Sequence, residues 1–169
     1  AGKISLAMGM ETGTGLDGDL ANLDHFYARG IRYITLAHSK SNRLSYSSYD
    51  ENRPLGGLSP LGREAVARMN ALGMMIDISH LTDAAAMQVL ELSAAPVIAS
   101  HSSARKFTPG FERNMDDDLI RALAGKVPLI ICQKPFCRDL AEARGESFER
   151  FGRGNQQRGF DRVLGKALW

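Results

Sequence analysis

An α/β architecture of about five parallel strands and four helices, arranged as part of a β/α barrel, is what this 169-residue sequence predicts, and three observations predict it. Strand-like and helix-like runs alternate from residue 4 to residue 132. Three of the four histidines stand where a strand-like run stops, in Thr35-Leu36-Ala37-His38, Asp77-Ile78-Ser79-His80 and Ala99-Ser100-His101. An earlier run closes on the carboxylate of Glu11. All strand C-termini of a parallel array share one rim, so these four side chains are expected to converge there.

The elements follow in order. Residues 4–10 form the first predicted strand. In the helix predicted over 19–29, Leu20, Leu23, Phe26 and Tyr27 share one stripe, and Gly30 suits its end. Residues 31–36, β-branched and aromatic, form the second strand. Residues 39–57 are polar, with Tyr46, Tyr49, Asp50, Arg53 and Pro54, and show no regular period. A loop this long in a compact domain is usually functional, and its start at a strand-end histidine suggests a lid.

Ser59-Pro60 reads as a helix start, with a capping hydroxyl and proline in the first turn. Leu61, Ala65, Met69 and Leu72 form that helix's expected buried stripe, and Gly73 ends it. Residues 74–78 are the third strand. Thr82 caps the next helix, whose Ala86, Val89 and Leu90 face inward, and residues 96–99 are the fourth strand. After a loop over 102–115, Asp116-Asp117-Asp118 places three acids where a helix dipole favours them. Leu119, Ile120 and Leu123 supply that helix's apolar face, Gly125 ends it, and residues 127–132 form the fifth strand. The pattern then fails. Residues 1–137 therefore read as one partial barrel domain, and residues 138–169 as an Arg/Gly-rich tail, weakly helical or disordered.

Composition excludes several function classes. Residues 1–137 carry fourteen Lys/Arg against fourteen Asp/Glu, so the net charge of +2 comes from the tail and no basic face for nucleic acid is expected. The only cysteines, Cys132 and Cys137, lack the spacing of a thiolate metal site or a disulfide scaffold. No apolar run approaches the ~20 residues that span a bilayer, and no targeting segment is recognisable, which leaves the compartment unknown. The chain opens at Ala1 almost directly in a strand, as an interior fragment would. Open strand edges would invite a second chain, so a homo-oligomer is one expectation.

The rim residues carry the chemistry. Glu11, His38, His80 and His101 offer oxygen and imidazole donors, a set suited to zinc or another borderline divalent ion. One such residue alone would ordinarily be a cap or a solvated loop residue; four in register argue for a site. His25, inside a helix, reads as structural or solvent-facing. Asp77 suits either of two roles, orienting a ligand imidazole or being a satisfied polar group inside the barrel. Arg105 and Arg113, both after the fourth strand, each suit a bidentate hold on a substrate carboxylate or a surface salt bridge.

Gly9-Met10-Glu11, Gly30-Ile31-Arg32-Tyr33-Ile34-Thr35-Leu36-Ala37-His38, Gly56-Gly57-Leu58-Ser59, Gly62-Arg63-Glu64, Leu72-Gly73-Met74-Met75-Ile76-Asp77-Ile78-Ser79-His80, Ala95-Pro96-Val97-Ile98-Ala99-Ser100-His101-Ser102-Ser103-Ala104-Arg105 and Arg113-Asn114 occur in that order. Together they resemble the membrane (renal-type) dipeptidase family over about residues 4–126. The resemblance implies a zinc-dependent hydrolase of dipeptides on an amidohydrolase-type TIM barrel. It implies that Glu11 bridges two zinc ions, that His80 and His101 complete one of them, that His38 contacts the substrate and its tetrahedral intermediate, and that Arg113 binds the dipeptide carboxylate. Glu11 and His38 are thereby the catalytic residues. Such chemistry is sound for amide hydrolysis, because a metal pair ~3.5–4 Å apart acidifies water and polarises the carbonyl.

The departures matter equally. The family's other zinc takes a His-x-Asp pair from the first barrel strand, which would lie upstream of Ala1, and a further strand-end aspartate is expected near the last strand. After Lys126 the family's Gly-Gly-Val strand opening gives way to Val127-Pro128-Leu129-Ile130. A complete eight-stranded barrel takes ~250 residues. Two zinc ions are thus expected per complete site and one in this chain. The alternative is a catalytically incompetent fragment that binds at most one zinc through Glu11, His80 and His101. A phosphoesterase on a similar barrel would want more basic rim residues than Arg105, Lys106 and Arg113.

Overall fold

The computed structural model describes residues 6–54 and 56–126, which all fall within one unit, Ala1–Pro128. Three strands form a parallel sheet in chain order: β1 (Met8–Glu11), β2 (Ile31–Thr35) and β3 (Met75–Asp77). Four helices accompany them: α1 (Ala21–Ala28), α2 (Pro60–Leu72), α3 (Asp83–Leu92) and α4 (Asp117–Lys126). The architecture is therefore α/β with a parallel sheet, as predicted. The fifth strand, both cysteines and the predicted tail at 138–169 lie outside the described residues.

The fourth strand is much shorter than predicted. Residues 96–99 contribute one parallel bridge, Ile98 to Asp77, made by Ile78 N–H donating to the Ile98 carbonyl and Ile98 N–H to that of Ile76, both at 2.9 Å. Its limits are chemical. Pro96 has no N–H to give a ladder, and the Ser100 N–H is taken by the Asp77 carboxylate at 3.0 Å. Of the first predicted strand, residues 4 and 5 lie outside the described residues; β1 runs from Met8 and ends on Glu11 itself, at an exposed edge of the described sheet.

The helices begin and end much as their sequences require. The Ser59 hydroxyl accepts from Gly62 N–H at 2.9 Å, and Gly73 closes α2 in the left-handed conformation at φ 71°. The Thr82 hydroxyl caps α3. Asp116 lies before α4 and caps it, accepting from Leu119 N–H at 2.8 Å, while the helix runs past Gly125. The buried stripe of α2 is Gly62, Ala65, Val66 and Met69, so Leu61 and Leu72 are only partly covered. In α1 only Leu23 is fully buried. These side chains join Ile34, Leu36, Ile76, Val89, Leu90 and the inner face of α4 in the core.

Residues 39–57 do not form the free lid predicted from their polarity. Ser45 bridges to Leu58 and Ser47 to Leu81, and Leu44, Ser45 and Ser47 are almost fully buried. Asn42 replaces a missing period with side-chain bonds, donating to the Leu36 carbonyl and accepting from Leu44 N–H and Ser45 N–H. Arg53 ties the loop to Glu112. The segment is a packed insert, held by serine and asparagine side chains where strands would use a ladder.

Gly62 is where this insert meets α2. A Cβ there would stand 2.0 Å from the Leu44 carbonyl oxygen. Gly62→Ala should therefore lower unfolding stability by about 1–3 kcal/mol despite its better helix propensity. Urea unfolding at unchanged slope would show this as a reduced midpoint, and an unchanged or raised midpoint would refute it.

Candidate metal centre

Parallel register sets the site. Glu11, Thr35, Asp77 and Ile98 form one row across β1, β2, β3 and the bridge. His38, His80 and His101 each follow the row residue of their own strand by three positions, so three turns of similar length rise above the row beside Glu11. Each turn is fixed differently. The His80 turn takes a left-handed backbone at φ 68°, uncommon for any residue but glycine although histidine enters it more readily than most. The Leu81 N–H and Ile78 carbonyl close that turn, and Ser48 N–H donates to the His80 carbonyl at 2.8 Å. The Ser47 hydroxyl holds the His38 carbonyl.

The four predicted ligand-type residues come together. Glu11 Oε1 lies 3.0 Å from His80 Nε2, 2.9 Å from His101 Nε2 and 3.5 Å from His38 Nε2. His80 Nε2 is 2.8 Å from His101 Nε2. Ligand atoms of Glu11, His38 and His80 also lie within 4.8 Å of one another. The His38 and His80 rings stand 4.3 Å apart, and the His80 and His101 rings 4.8 Å. Such crowding of nitrogen donors about one carboxylate oxygen is the donor set of a borderline divalent ion.

Electrostatics favour the forms a cation needs. Burial, followed by the nearby Arg113 charge, pushes His80 down to about 4 against a partial offset from its bond to Glu11. Its imidazole is neutral at neutral pH. Burial by itself would raise Glu11, but the His80 hydrogen bond and the three neighbouring histidines hold its carboxyl below the usual value. His80 Nδ1 is buried with no partner among the described residues.

The two arginines separate sharply. Arg105 is spent internally: Asp83 takes both its terminal nitrogens at 2.7 and 2.5 Å, and the carbonyls of Glu112 and Asn114 accept two further bonds. Its guanidinium pKa is raised by that Asp83 pairing. Arg113, 9% exposed, binds Ser102 Oγ at 3.0 Å and the His101 carbonyl at 2.7 Å, and its Nη2 is 3.3 Å from His80 Nε2. Among the described residues it pairs with no carboxylate. An uncompensated cation therefore stands beside the histidines, suited to a substrate anion.

Of its two predicted roles, Asp77 takes the second, a polar group satisfied in the interior. It does not reach a histidine. It is fully buried and accepts four hydrogen bonds, from the Thr35 and Ser100 hydroxyls at 2.6 Å and from Ser79 N–H and Ser100 N–H at 3.0 Å. His25 is exposed in α1, 2.9 Å from Arg29, as its helical position indicated. Sequence reasoning missed Ser100, Thr35 and Tyr49. The repeated dipeptides Ser79-His80 and Ser100-His101 were a signal for the serines. Tyr49, from the insert, places its ring 5.9 Å from that of His80, which no local pattern could reveal.

In the metal-free protein a histidine lowered on folding destabilises the fold as it takes up a proton. The His80 contribution is complete above its unfolded value near 6.5 and is lost as pH falls toward 4, by on the order of 3 kcal/mol. Glu11, also lowered, acts in the same direction. Urea midpoints measured between about pH 7 and pH 4 should fall accordingly, and less steeply in His80→Asn, which tolerates the same backbone. An equal slope in both proteins would exclude His80 as the source.

Comparison with known proteins identifies the family. Membrane dipeptidase (peptidase family M19) matches residues 1–134, past Lys126 where the sequence motifs end. A dipeptidase of Claviceps purpurea, tcpJ, is 41% identical over 123 residues, 73% of this chain and 29% of that protein. Dipeptidase 3 of Mus musculus is 40% identical over 125 residues, 72% of this chain and 25% of that one. The probable dipeptidase PvdM from Pseudomonas aeruginosa superposes with a TM-score of 0.69 at 37% identity, over 74% of this chain and 32% of its own. A Rhodobacter sphaeroides metallopeptidase, solved with a phosphinate mimic of the dipeptide L-Ala-D-Ala, gives 0.64 at 30% identity, over 70% of this chain and 35% of its own. The chain thus spans about a quarter to a third of the length of these relatives. On the match across residues 1–134, it belongs to the membrane dipeptidase family, peptidase family M19.

Proposed function

We propose that this chain carries part of the active site of a zinc-dependent dipeptidase on a TIM-type barrel, with Glu11, His80 and His101 as ligands of one zinc ion. The observation that carries the reading is the convergence of three imidazole Nε2 atoms within 3.5 Å of Glu11 Oε1. Zinc, when bound, supplies Lewis acidity that polarises a carbonyl and acidifies water at neutral pH. The protein's own groups do the rest. Burial keeps the His80 imidazole neutral, and Glu11 stays ionised beside it. Arg113 offers its guanidinium to the terminal carboxylate of a dipeptide, which fixes the direction in which the peptide bond is presented. His38, half-buried, with Nδ1 3.0 Å from Ser39 Oγ and Nε2 toward Glu11, faces the reacting carbonyl.

A second reading is favoured by chain length. Because the chain spans about a quarter to a third of its relatives, this reading has a segment of this extent holding one zinc through Glu11, His80 and His101 without turning over dipeptides by itself. The readings separate by rate: turnover of simple dipeptides well above that of Glu11→Gln supports a working enzyme, and equal rates support the incomplete site.

Metal analysis after dialysis should give about one zinc per chain, falling toward zero in His80→Ala and His101→Ala. A folded protein that retains none would refute the ligand assignment. For substrate, Arg113→Met should weaken dipeptide binding to the zinc-loaded chain by about 10–100-fold, the loss expected of a charge-assisted hydrogen bond. Arg105→Met should lower the unfolding midpoint and leave that affinity nearly unchanged; the reverse pattern would exchange their roles.

A further inference from the structure

The hydroxyl of Ser100 stands between two groups whose protons can be assigned. Asp77 is reached by four donors, two of them backbone N–H groups that can only donate. The other two are the Thr35 and Ser100 hydroxyls, both 2.6 Å from the same oxygen, Oδ2. An ionised carboxylate only accepts, so each hydroxyl commits its single proton to Asp77. On its other side Ser100 Oγ lies 2.7 Å from His101 Nδ1. With its proton already committed, Ser100 can present only a lone pair there, and a contact this short needs one proton. That proton belongs to His101 Nδ1.

We infer that Asp77 and Ser100 form a relay of oriented hydrogen bonds that locks the neutral His101 in its Nδ1–H tautomer. The consequence lies at the other ring nitrogen. His101 Nε2, 2.9 Å from Glu11 Oε1 and 2.8 Å from His80 Nε2, is left with its lone pair aimed into the cluster. Asp77 and Ser100 are positioning residues, acting through His101. The Ser79 hydroxyl helps hold the ring's backbone, accepting from His101 N–H at 3.1 Å. His80 has no such device, because its Nδ1 is buried without a partner among the described residues. One imidazole of the pair is preset and the other is not.

Without metal, Glu11 Oε1 at 2.9 Å from Nε2 competes for the ring proton with Ser100 Oγ at 2.7 Å from Nδ1, and the assignment is that the shorter, oriented contact wins; only its effect on cation affinity rests on the zinc reading above. Nitrogen-15 correlation spectra of the metal-free full chain, near pH 8 where an ordinary histidine is neutral, read the tautomer directly. The expected result is a protonated Nδ1 and an unprotonated Nε2 for His101. In Ser100→Ala that preference should disappear, with Nε2–H populated against Glu11, and Ser100→Thr should restore it. A His101 protonated on Nε2 in the unaltered chain would overturn the relay, as would an unchanged tautomer in Ser100→Ala. Zinc titration then tests the purpose: Ser100→Ala should bind about 10–100-fold more weakly, with Ser100→Thr near the original value. Equal affinity would overturn the positioning role. Failure of the unaltered chain to bind zinc, with the tautomer as predicted, would refute the metal reading and leave the relay standing.

Discussion

The four hydrogen bonds accepted by Asp77 are the constraint on which the rest of the site depends. A carboxylate with no exposure to water is tolerated only when donors replace its hydration, and here every donor comes from a strand end or the turn after one. Thr35 reports from β2, Ser79 from the turn after β3, and Ser100 from the segment beyond the Ile98 bridge. One buried anion thus aligns the three turns that lift His38, His80 and His101. It also explains why the fourth strand is so short, since the N–H that would extend its ladder is spent on the side chain.

The packed insert complements this from above. A polar segment of this length would normally be solvated, yet Ser45 and Ser47 are buried with their hydroxyls hydrogen-bonded to backbone. Its bonds to the carbonyls of His38 and His80 brace both turns, and the left-handed His80 backbone is held from two sides. Strain of that kind costs about 1–3 kcal/mol and persists only where surrounding contacts over-determine it. The insert is part of the scaffold of the site.

Charge is partitioned with equal economy. Both arginines of the loop after the fourth strand carry the same formal charge, but Asp83 neutralises Arg105 at the start of α3. Among the described residues Arg113 reaches only neutral acceptors, so its field acts on the histidines and on whatever anion enters. The same field that would attract a carboxylate helps keep His80 unprotonated.

Much of this was legible in the sequence. Alternating periods, Ser59, Thr82 and Gly73 identified the helices and their ends, because capping and apolar stripes are local properties. Strand-end placement identified Glu11, His38, His80 and His101, because parallel topology sends every strand C-terminus to one rim. Strand lengths, the folded insert and the true partner of Asp77 were not legible. Each depends on hydrogen bonds between residues far apart in sequence: Thr35 with Asp77, Asp77 with Ser100, Ser48 with His80. The sequence by itself determined which donor atoms arrive at the rim; only the tertiary structure decided which arginine Asp83 neutralises and which neighbours the ring of His101 meets, since both follow from the partners that folding supplies.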